Sequence, residues 1–128
     1  MKKKIMVDMS ATLIHHGHIR LIKNAKKYGD VIIGLTTDKQ IRKFKGYSPE
    51  LSFKFRKEIL SEIKGVKKVV PSNWLITQKF LDKHKIDILI SGGDYKKRKF
   101  KTKTINFDRT KFISSTILRK KATKILNN

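Results

Sequence analysis

Residues 5–19 constrain the fold more strongly than any other stretch. An apolar run over residues 5–9 leads into a turn of small and polar residues, and an amphipathic run begins directly after Gly17. A strand that enters a helix through such a turn is typical of a parallel α/β sheet, and the turn lies at the carboxyl edge where these sheets bind ligands. The first turn of that helix has unpaired backbone N–H groups that favour an anion. His15 and His18, on either side of Gly17, therefore indicate phosphate chemistry.

The rest of the chain alternates between short apolar runs and helical spacing. Right-handed crossovers between such runs make the strands parallel. We predict an α/β fold, a Rossmann-like doubly wound parallel sheet of about five strands with helices on both faces. In the second long helix, Phe55, Ile59 and Ile63 share an apolar face. The predicted strands are residues 3–9, 31–37, 67–71, 86–91 and 104–107, and the predicted helices are residues 16–28, 51–64, 74–84 and 114–126, with a short helix after Asp38.

Length and composition suit one domain over residues 1–128, since 38% of the residues are apolar. No run approaches the roughly 18 apolar residues of a membrane span. The apolar stretch after Lys4 is short and is interrupted by Asp8, so it indicates a first strand and not a signal peptide. The absence of cysteine excludes a disulfide framework and a thiolate metal site. We expect a cytoplasmic protein.

The net charge is +22, from 32 lysines and arginines against 10 acidic residues. Dense positive charge attracts nucleic-acid backbones, but it also arises from lysines on solvated helix faces. The basic residues are spread over the whole chain, without an arginine-rich arm. We therefore expect no specific nucleic-acid partner. The same charge would steer an anionic nucleotide towards an enzyme.

Two motifs resemble those of a known enzyme superfamily. Residues 15–18, His-His-Gly-His, resemble the HxGH motif of the nucleotidyltransferases. Residues 109–116, Arg-Thr-Lys-Phe-Ile-Ser-Ser-Thr, resemble the RTxGISTT motif of its cytidylyltransferase branch, which includes the glycerol-phosphate, phosphocholine and phosphoethanolamine enzymes. The two motifs stand in the family's order and at about the family's spacing. The chain is therefore identified as a member of this family.

The resemblance implies an activity. It implies transfer of CMP from CTP, with Mg²⁺, to a small phosphorylated alcohol or amino-alcohol, with release of pyrophosphate, by a homodimer. We assign no side chain as a metal ligand. Two alternatives remain open: an ATP-dependent adenylyltransferase of the same superfamily, and a non-catalytic module that binds nucleotide or nucleic acid.

The resemblance also implies the roles of individual residues. The attacking group is an ionised phosphate, so no strong base is needed and catalysis depends on positioning and on charge stabilisation. His15, His18 and Arg109 would stabilise the triphosphate in the transition state, whereas His16 would face away. The nucleotide would be bound by Ser10, Ala11, Gly17, Lys45, Asp94, Arg109, Thr110, Ser114, Ser115 and Thr116, and the acceptor by Lys45, Arg56, Trp74 and Tyr95.

Two residues depart from the family pattern. Thr12 stands where the family's GTFDLL segment carries an acid, so a negative charge near the phosphates is missing. Phe112 stands where the family has glycine, and we expect a bulky side chain there to reshape the loop or to disfavour a backbone with positive φ. These departures keep the non-catalytic alternative open.

Overall fold

The structure, a computed structural model, describes residues 2–92 and 99–127. Within them, five strands form one parallel sheet in the order β3-β2-β1-β4-β5, which confirms the predicted doubly wound architecture. The strands are β1 Lys4–Met9, β2 Asp30–Thr36, β3 Val66–Ser72, β4 Ile88–Ser91 and β5 Lys103–Asn106. The helices are α1 His16–Ala25, α2 Asp38–Lys45, α3 Phe53–Ser61, α4 Gln78–Lys83 and α5 Ser115–Leu126.

Strand β1 is the centre of the sheet. Ile5 pairs with Val31 of β2 on one side and with Ile88 of β4 on the other. The chain winds outwards from β1 to β3, then crosses back to β4 and continues to β5. The winding direction reverses between β1 and β4. The loops that follow these two strands diverge there and leave a crevice at the carboxyl ends of the strands.

Apolar side chains of β1 face both layers of helices. Val7 belongs to a buried cluster that includes Ile22 of α1 and Leu60 of α3. Met6, which points to the other face, belongs to a second buried cluster with Leu81 of α4. A central strand that is covered on both faces has a nearly continuous apolar sequence, and this pattern predicts β1.

The buried face of α3 differs from the apolar face seen in the sequence. Phe55 and Ile59 are 50% and 43% exposed, whereas Arg56 and Leu60 are buried. The reason is that Arg56 forms hydrogen bonds beneath the loops at the sheet edge, which turns the Phe55 side of the helix outwards. None of the helices in the described part of the chain has both the length and the apolar composition to cross a membrane.

Candidate active site

A cleft of about 670 Å³ opens at the carboxyl ends of the strands, at the reversal point beside β1. Most of the predicted site residues line it, although they come from distant parts of the sequence. Asp94 and Tyr95 lie outside the described residues. The predicted residues in the lining are Ser10, Ala11, His15, Gly17, His18, Lys45, Trp74, Arg109, Thr110, Ser114, Ser115 and Thr116.

His15 and His18 cap the N-terminus of α1 reciprocally. The Nδ1 of His15 accepts the backbone N–H of Gly17 at 3.0 Å, and the Nδ1 of His18 accepts the backbone N–H of His15 at 3.1 Å. The two ring centroids lie 3.9 Å apart. This is a capping box in which imidazole nitrogens replace the usual hydroxyl and carboxylate.

The capping bonds determine the tautomer of both rings. A nitrogen that accepts a hydrogen bond carries no proton, so the proton of each neutral ring is on Nε2. Burial, with a smaller effect from neighbouring His15, lowers the pKa of His18 to about 4. Burial, together with His16, also lowers the pKa of His15. Both lowered pKa values favour uncharged rings at neutral pH, each with its remaining N–H on Nε2.

Gly17 leaves room for the His15 ring. A Cβ atom at this position would lie 2.8 Å from Cε1 and 2.9 Å from Nδ1 of His15, closer than real contacts allow. Any other residue would displace the ring or break its capping bond. Gly17 therefore serves the geometry of the histidine pair as well as lining the cleft.

The N-terminus of α5 forms the wall next to the histidine pair, since Ser115 bonds to Leu13 in the turn that enters α1. The Ser114 hydroxyl accepts the N–H of Ile117 at 3.0 Å, and the Ser115 hydroxyl bonds to both the N–H and the carbonyl of Leu13, at 3.1 and 2.9 Å. Both hydroxyls therefore hold the fold together. The backbone N–H groups of the first helical turn, which have no partner within a helix, are the stronger anion donors on this wall.

Arg109 lies beside this helix end. Its Nε donates to the carbonyl of Gly92 at 3.3 Å, which joins the loop before α5 to the end of β4. The contact places a guanidinium group in the cleft lining, near the hydroxyls that follow it in the chain.

Lys45 and Trp74 form another part of the wall. The Lys45 Nζ lies 5.4 Å from the centroid of the Trp74 ring, and Phe44 stacks on the same ring with centroids 5.7 Å apart. Trp74 precedes α4 and is not in a helix, because the hydroxyl of Thr77 caps α4 at the N–H of Phe80. The aromatic face therefore contacts a cation in this structure.

Arg56 does not line the cleft, contrary to its predicted contact with the acceptor. Its side chain is fully buried, and its guanidinium donates to the carbonyls of Ser10 and Thr36 at 2.7 and 2.9 Å and to Asp38 at 2.6 Å. The residue after Ser10, Ala11, has a left-handed backbone with φ of 47°. Arg56 thus supports the turn after β1 from below, and its full burial keeps it away from a substrate in the cleft.

The structure accommodates both departures from the family pattern. Thr12 is buried, and its hydroxyl accepts a hydrogen bond from Arg119 at 3.1 Å. Phe112 has φ of 65°, the left-handed backbone that glycine adopts readily, and its side chain is 92% exposed. The positive φ is therefore kept despite the bulky side chain, because the ring extends into solvent.

Sequence reasoning missed several lining residues. Tyr47 stands in a loop with no recognisable motif, and Asp108 is adjacent to the second motif. Asp8 had a detectable signal, since it is an acidic residue within a buried strand, one position before the strand ends. Among residues 2–92 and 99–127, no group of three or more histidine, aspartate or glutamate side chains is arranged to hold a metal ion.

Comparisons with known proteins agree with the fold. The family model described as cytidylyltransferase-like matches residues 10–121. The glycerol-3-phosphate cytidylyltransferase of Bacillus spizizenii is 35% identical over 124 residues, which cover 92% of this chain and 95% of that protein. The ethanolamine-phosphate cytidylyltransferase of Mus musculus is 33% identical over 93 residues, which cover 71% of this chain but 23% of that protein.

Solved structures share the fold at lower identity. The lipopolysaccharide core biosynthesis protein of Thermoplasma volcanium superposes with a TM-score of 0.71 at 20% identity, over 86% of this chain and 99% of that chain. The sheet order, the cleft and the extent of the family match together establish that the chain belongs to the cytidylyltransferase-like family.

Proposed function

We propose that the protein transfers CMP from CTP to a small phosphorylated alcohol and releases pyrophosphate. The observation that carries the proposal is that one cleft contains the capped histidine pair, Arg109 and the N-terminus of α5. The names of the two cytidylyltransferase relatives support CTP and a phosphorylated alcohol as substrates. An ATP-dependent reaction remains the less favoured alternative.

The chemistry requires charge stabilisation and alignment. An oxygen of the acceptor phosphate attacks the α-phosphorus of CTP, and the bond from that phosphorus to the bridging oxygen of pyrophosphate breaks. Negative charge grows on the leaving pyrophosphate, where neutral N–H donors of His15 and His18 and the guanidinium of Arg109 stabilise it. The nucleophile is ionised before the reaction, so the cleft needs no general base.

Mg²⁺ fits this cleft as an ion that arrives with the nucleotide. Mg²⁺ is commonly held by one or two carboxylates together with substrate phosphates, not by an all-protein cage. Asp8 and Asp108 supply carboxylates to the lining, and no larger ligand cluster exists among the described residues. When bound, the ion would neutralise part of the triphosphate charge.

The acceptor wall favours a phosphorylated amino-alcohol as a second candidate substrate. A substrate ammonium group would take the place that Lys45 Nζ occupies in this structure, 5.4 Å from the centroid of the Trp74 ring. Asp8 adds a negative charge to the same cleft, on the sheet face that Met6 shares with α4. A phosphate bound by Lys45 and an amine near Trp74 and Asp8 would use all three side chains.

The experiment is a substrate matrix with pyrophosphate release as the readout. CTP and ATP are each combined with glycerol phosphate, phosphoethanolamine and phosphocholine, with and without chelation of Mg²⁺. We expect turnover with CTP and at least one acceptor, loss of turnover on chelation, and loss in His18→Ala but not in the matched control His16→Ala. Turnover with ATP alone, or none with any pair, contradicts the proposal.

We retain three further proposals. A homodimer is supported by the apolar side chains that α5 leaves exposed, with Ile125 at 64% and Leu126 at 83%, and light scattering of the purified protein tests it.

A cytoplasmic location is supported by the proposed use of CTP as a substrate. The absence of sequence-specific nucleic-acid binding is tested by competition with scrambled oligonucleotides at physiological salt.

A further inference from the structure

We propose that Arg119 is a positioning residue, which fastens helix α5 to the loop between α2 and α3 and thereby sets the separation of the two walls of the cleft. Its kinetic consequence rests on the proposed function. The structural part, that one guanidinium holds the loop in place, can be tested without any substrate.

Arg119 joins three segments that are far apart in the chain. Its Nη2 donates to Glu50 Oε1 at 2.7 Å and its Nε donates to Glu50 Oε2, a fork of two parallel bonds. Its Nη1 donates to the hydroxyl of Tyr47 at 3.2 Å, and the guanidinium carbon lies 4.5 Å from the centroid of that ring. Its Nη2 also donates to the hydroxyl of Thr12 at 3.1 Å.

These contacts connect two parts of the cleft lining. Tyr47 lines the cleft two residues after Lys45, on the wall proposed to receive the acceptor. Arg119 itself lies in α5, whose first turn contributes Ser115 and Thr116 to the wall proposed to receive the triphosphate. A change in the Arg119 contacts would therefore alter the position of the acceptor relative to the triphosphate.

Apolar packing contributes little to the position of α5, because none of its side chains is fully buried and Leu118 is its only half-buried apolar residue. Its position depends on polar contacts, chiefly those of Ser115 with Leu13 and those of Arg119. The Arg119 side chain is 26% exposed and that of Glu50 37% exposed, so the pair is partly shielded from water. A bidentate pair in such a setting fixes geometry as well as charge.

Glu50 places a negative charge on the same guanidinium that bonds to Thr12. Thr12 stands where the family pattern carries an acid, and in this chain its hydroxyl meets one edge of the guanidinium while the Glu50 carboxylate meets the other. The hydrogen bond from Arg119 lowers the pKa of Glu50. An arginine is needed because a lysine ammonium cannot reach both the fork and the tyrosine hydroxyl.

The test uses Arg119→Ala, Arg119→Lys, Glu50→Gln and the double variant Arg119→Ala/Glu50→Gln. Lys120→Ala is the matched control, an exposed neighbour on the same helix. Hydrogen exchange measured by mass spectrometry over residues 46–52 should become several-fold faster in each variant at Arg119 or Glu50, and should be unchanged in the control. The melting temperature should change little, because no core residue is altered.

Steady-state kinetics test the functional part. We expect each single variant to raise the KM for the acceptor about tenfold, with a smaller change in kcat and in the KM for CTP. The double variant should be no worse than the worse single variant, because the two substitutions remove one shared interaction. Arg119→Lys should resemble Arg119→Ala. Lys120→Ala should match the parent.

Each outcome decides one part of the proposal. Unchanged exchange over residues 46–52 in Arg119→Ala overturns the fastening role, whatever the activity. Faster exchange with control-like kinetics overturns the positioning role, and so does a double variant whose losses are the product of the single losses. A parent without turnover for any substrate pair refutes the proposed function instead, while hydrogen exchange still decides whether Arg119 holds the loop.

Discussion

The rings of His15 and His18 lie 3.9 Å apart, and each caps a different backbone N–H at the start of α1. The arrangement gives both residues two tasks. One nitrogen of each ring completes the helix end, and we propose that the other donates to a ligand in the cleft that both residues line. A substitution can therefore affect stability and activity separately, and the choice of replacement decides which effect is measured.

For activity, we expect His15→Ala and His18→Ala each to lower kcat by about a hundredfold, the typical loss when one donor to transition-state charge is removed. His16→Ala should stay within a few-fold of the parent, because adjacent helix positions face different directions. Full kinetics with CTP and the best acceptor, after circular dichroism confirms folding, provide the measurement. Equal damage in all three variants would show that the two-histidine assignment is wrong.

For pH dependence, His18 should make the protein less stable in acid. Its pKa is about 4 when folded and about 6.5 when unfolded, so between these values the unfolded chain takes up a proton that the folded chain does not. The free energy of unfolding should therefore be highest above pH 6.5 and fall as the pH approaches 4. His18→Gln keeps an acceptor for the capping bond but cannot titrate, so it should show a shallower decline in urea unfolding. Parallel curves for parent and variant would exclude His18 as the source.

Arg109→Lys should lose much of the activity, because a planar fork of donors becomes a point charge. The variant also loses the bond from Nε to the Gly92 carbonyl, so its fold should be checked by thermal melting. The neighbouring substitution Lys111→Arg, at an exposed position, serves as the control and should have no effect. Unchanged kinetics in folded Arg109→Lys would remove Arg109 from the site.

Arg56→Met should destabilise the fold by roughly 1–3 kcal/mol for each buried carbonyl left without this donor, those of Ser10 and Thr36, while Asp38, which is 27% exposed, keeps access to water. Lys57→Met, at the exposed neighbouring position, should change the free energy of unfolding by less than about 0.5 kcal/mol. Urea unfolding followed by circular dichroism compares them. A small loss in Arg56→Met would mean that the turn after β1 does not depend on this guanidinium.

Phe112→Gly should be neutral or stabilising, up to about 1 kcal/mol, because it relieves a left-handed backbone and removes an exposed ring. Lys111→Gly carries the same cost in chain entropy without that relief, and should be destabilising. Thermal melting separates the two. Loss of activity in Phe112→Gly without loss of stability would show that the ring contacts a substrate.

The sequence predicts the framework of this fold because buried parallel strands and amphipathic helices leave regular patterns. The start of α1 at His16 and the central strand β1 follow from such patterns. The buried face of α3 does not, since the pattern around Phe55 favours its apolar side whereas Arg56 is drawn inwards by carbonyls from other loops. Hydrogen bonds between residues that are far apart in the sequence leave no periodic pattern, so the sequence does not predict them.

The candidate site also has some contacts that the sequence predicts and others that it does not. His15 and His18 stand in a local motif, so their proximity can be predicted from spacing alone. The contacts of Arg119 with Glu50 and Tyr47 join residues 69 and 72 positions apart, and no local signal marks them. Ser115 was assigned to phosphate binding by its motif, yet its hydroxyl bonds to Leu13, a use that only the three-dimensional structure reveals.

The exposed helix α5 has a thermodynamic consequence. A helix attached by hydrogen bonds and an ion pair, without buried side chains, can detach from the sheet at a lower free energy than global unfolding requires. The N-terminus of α5, part of the wall that we propose to bind the triphosphate, would therefore open as a unit separate from the sheet. A nucleotide that bridges α1 and α5 would join the two units, so substrate would lengthen the lifetime of the assembled cleft more than that of the sheet beneath it.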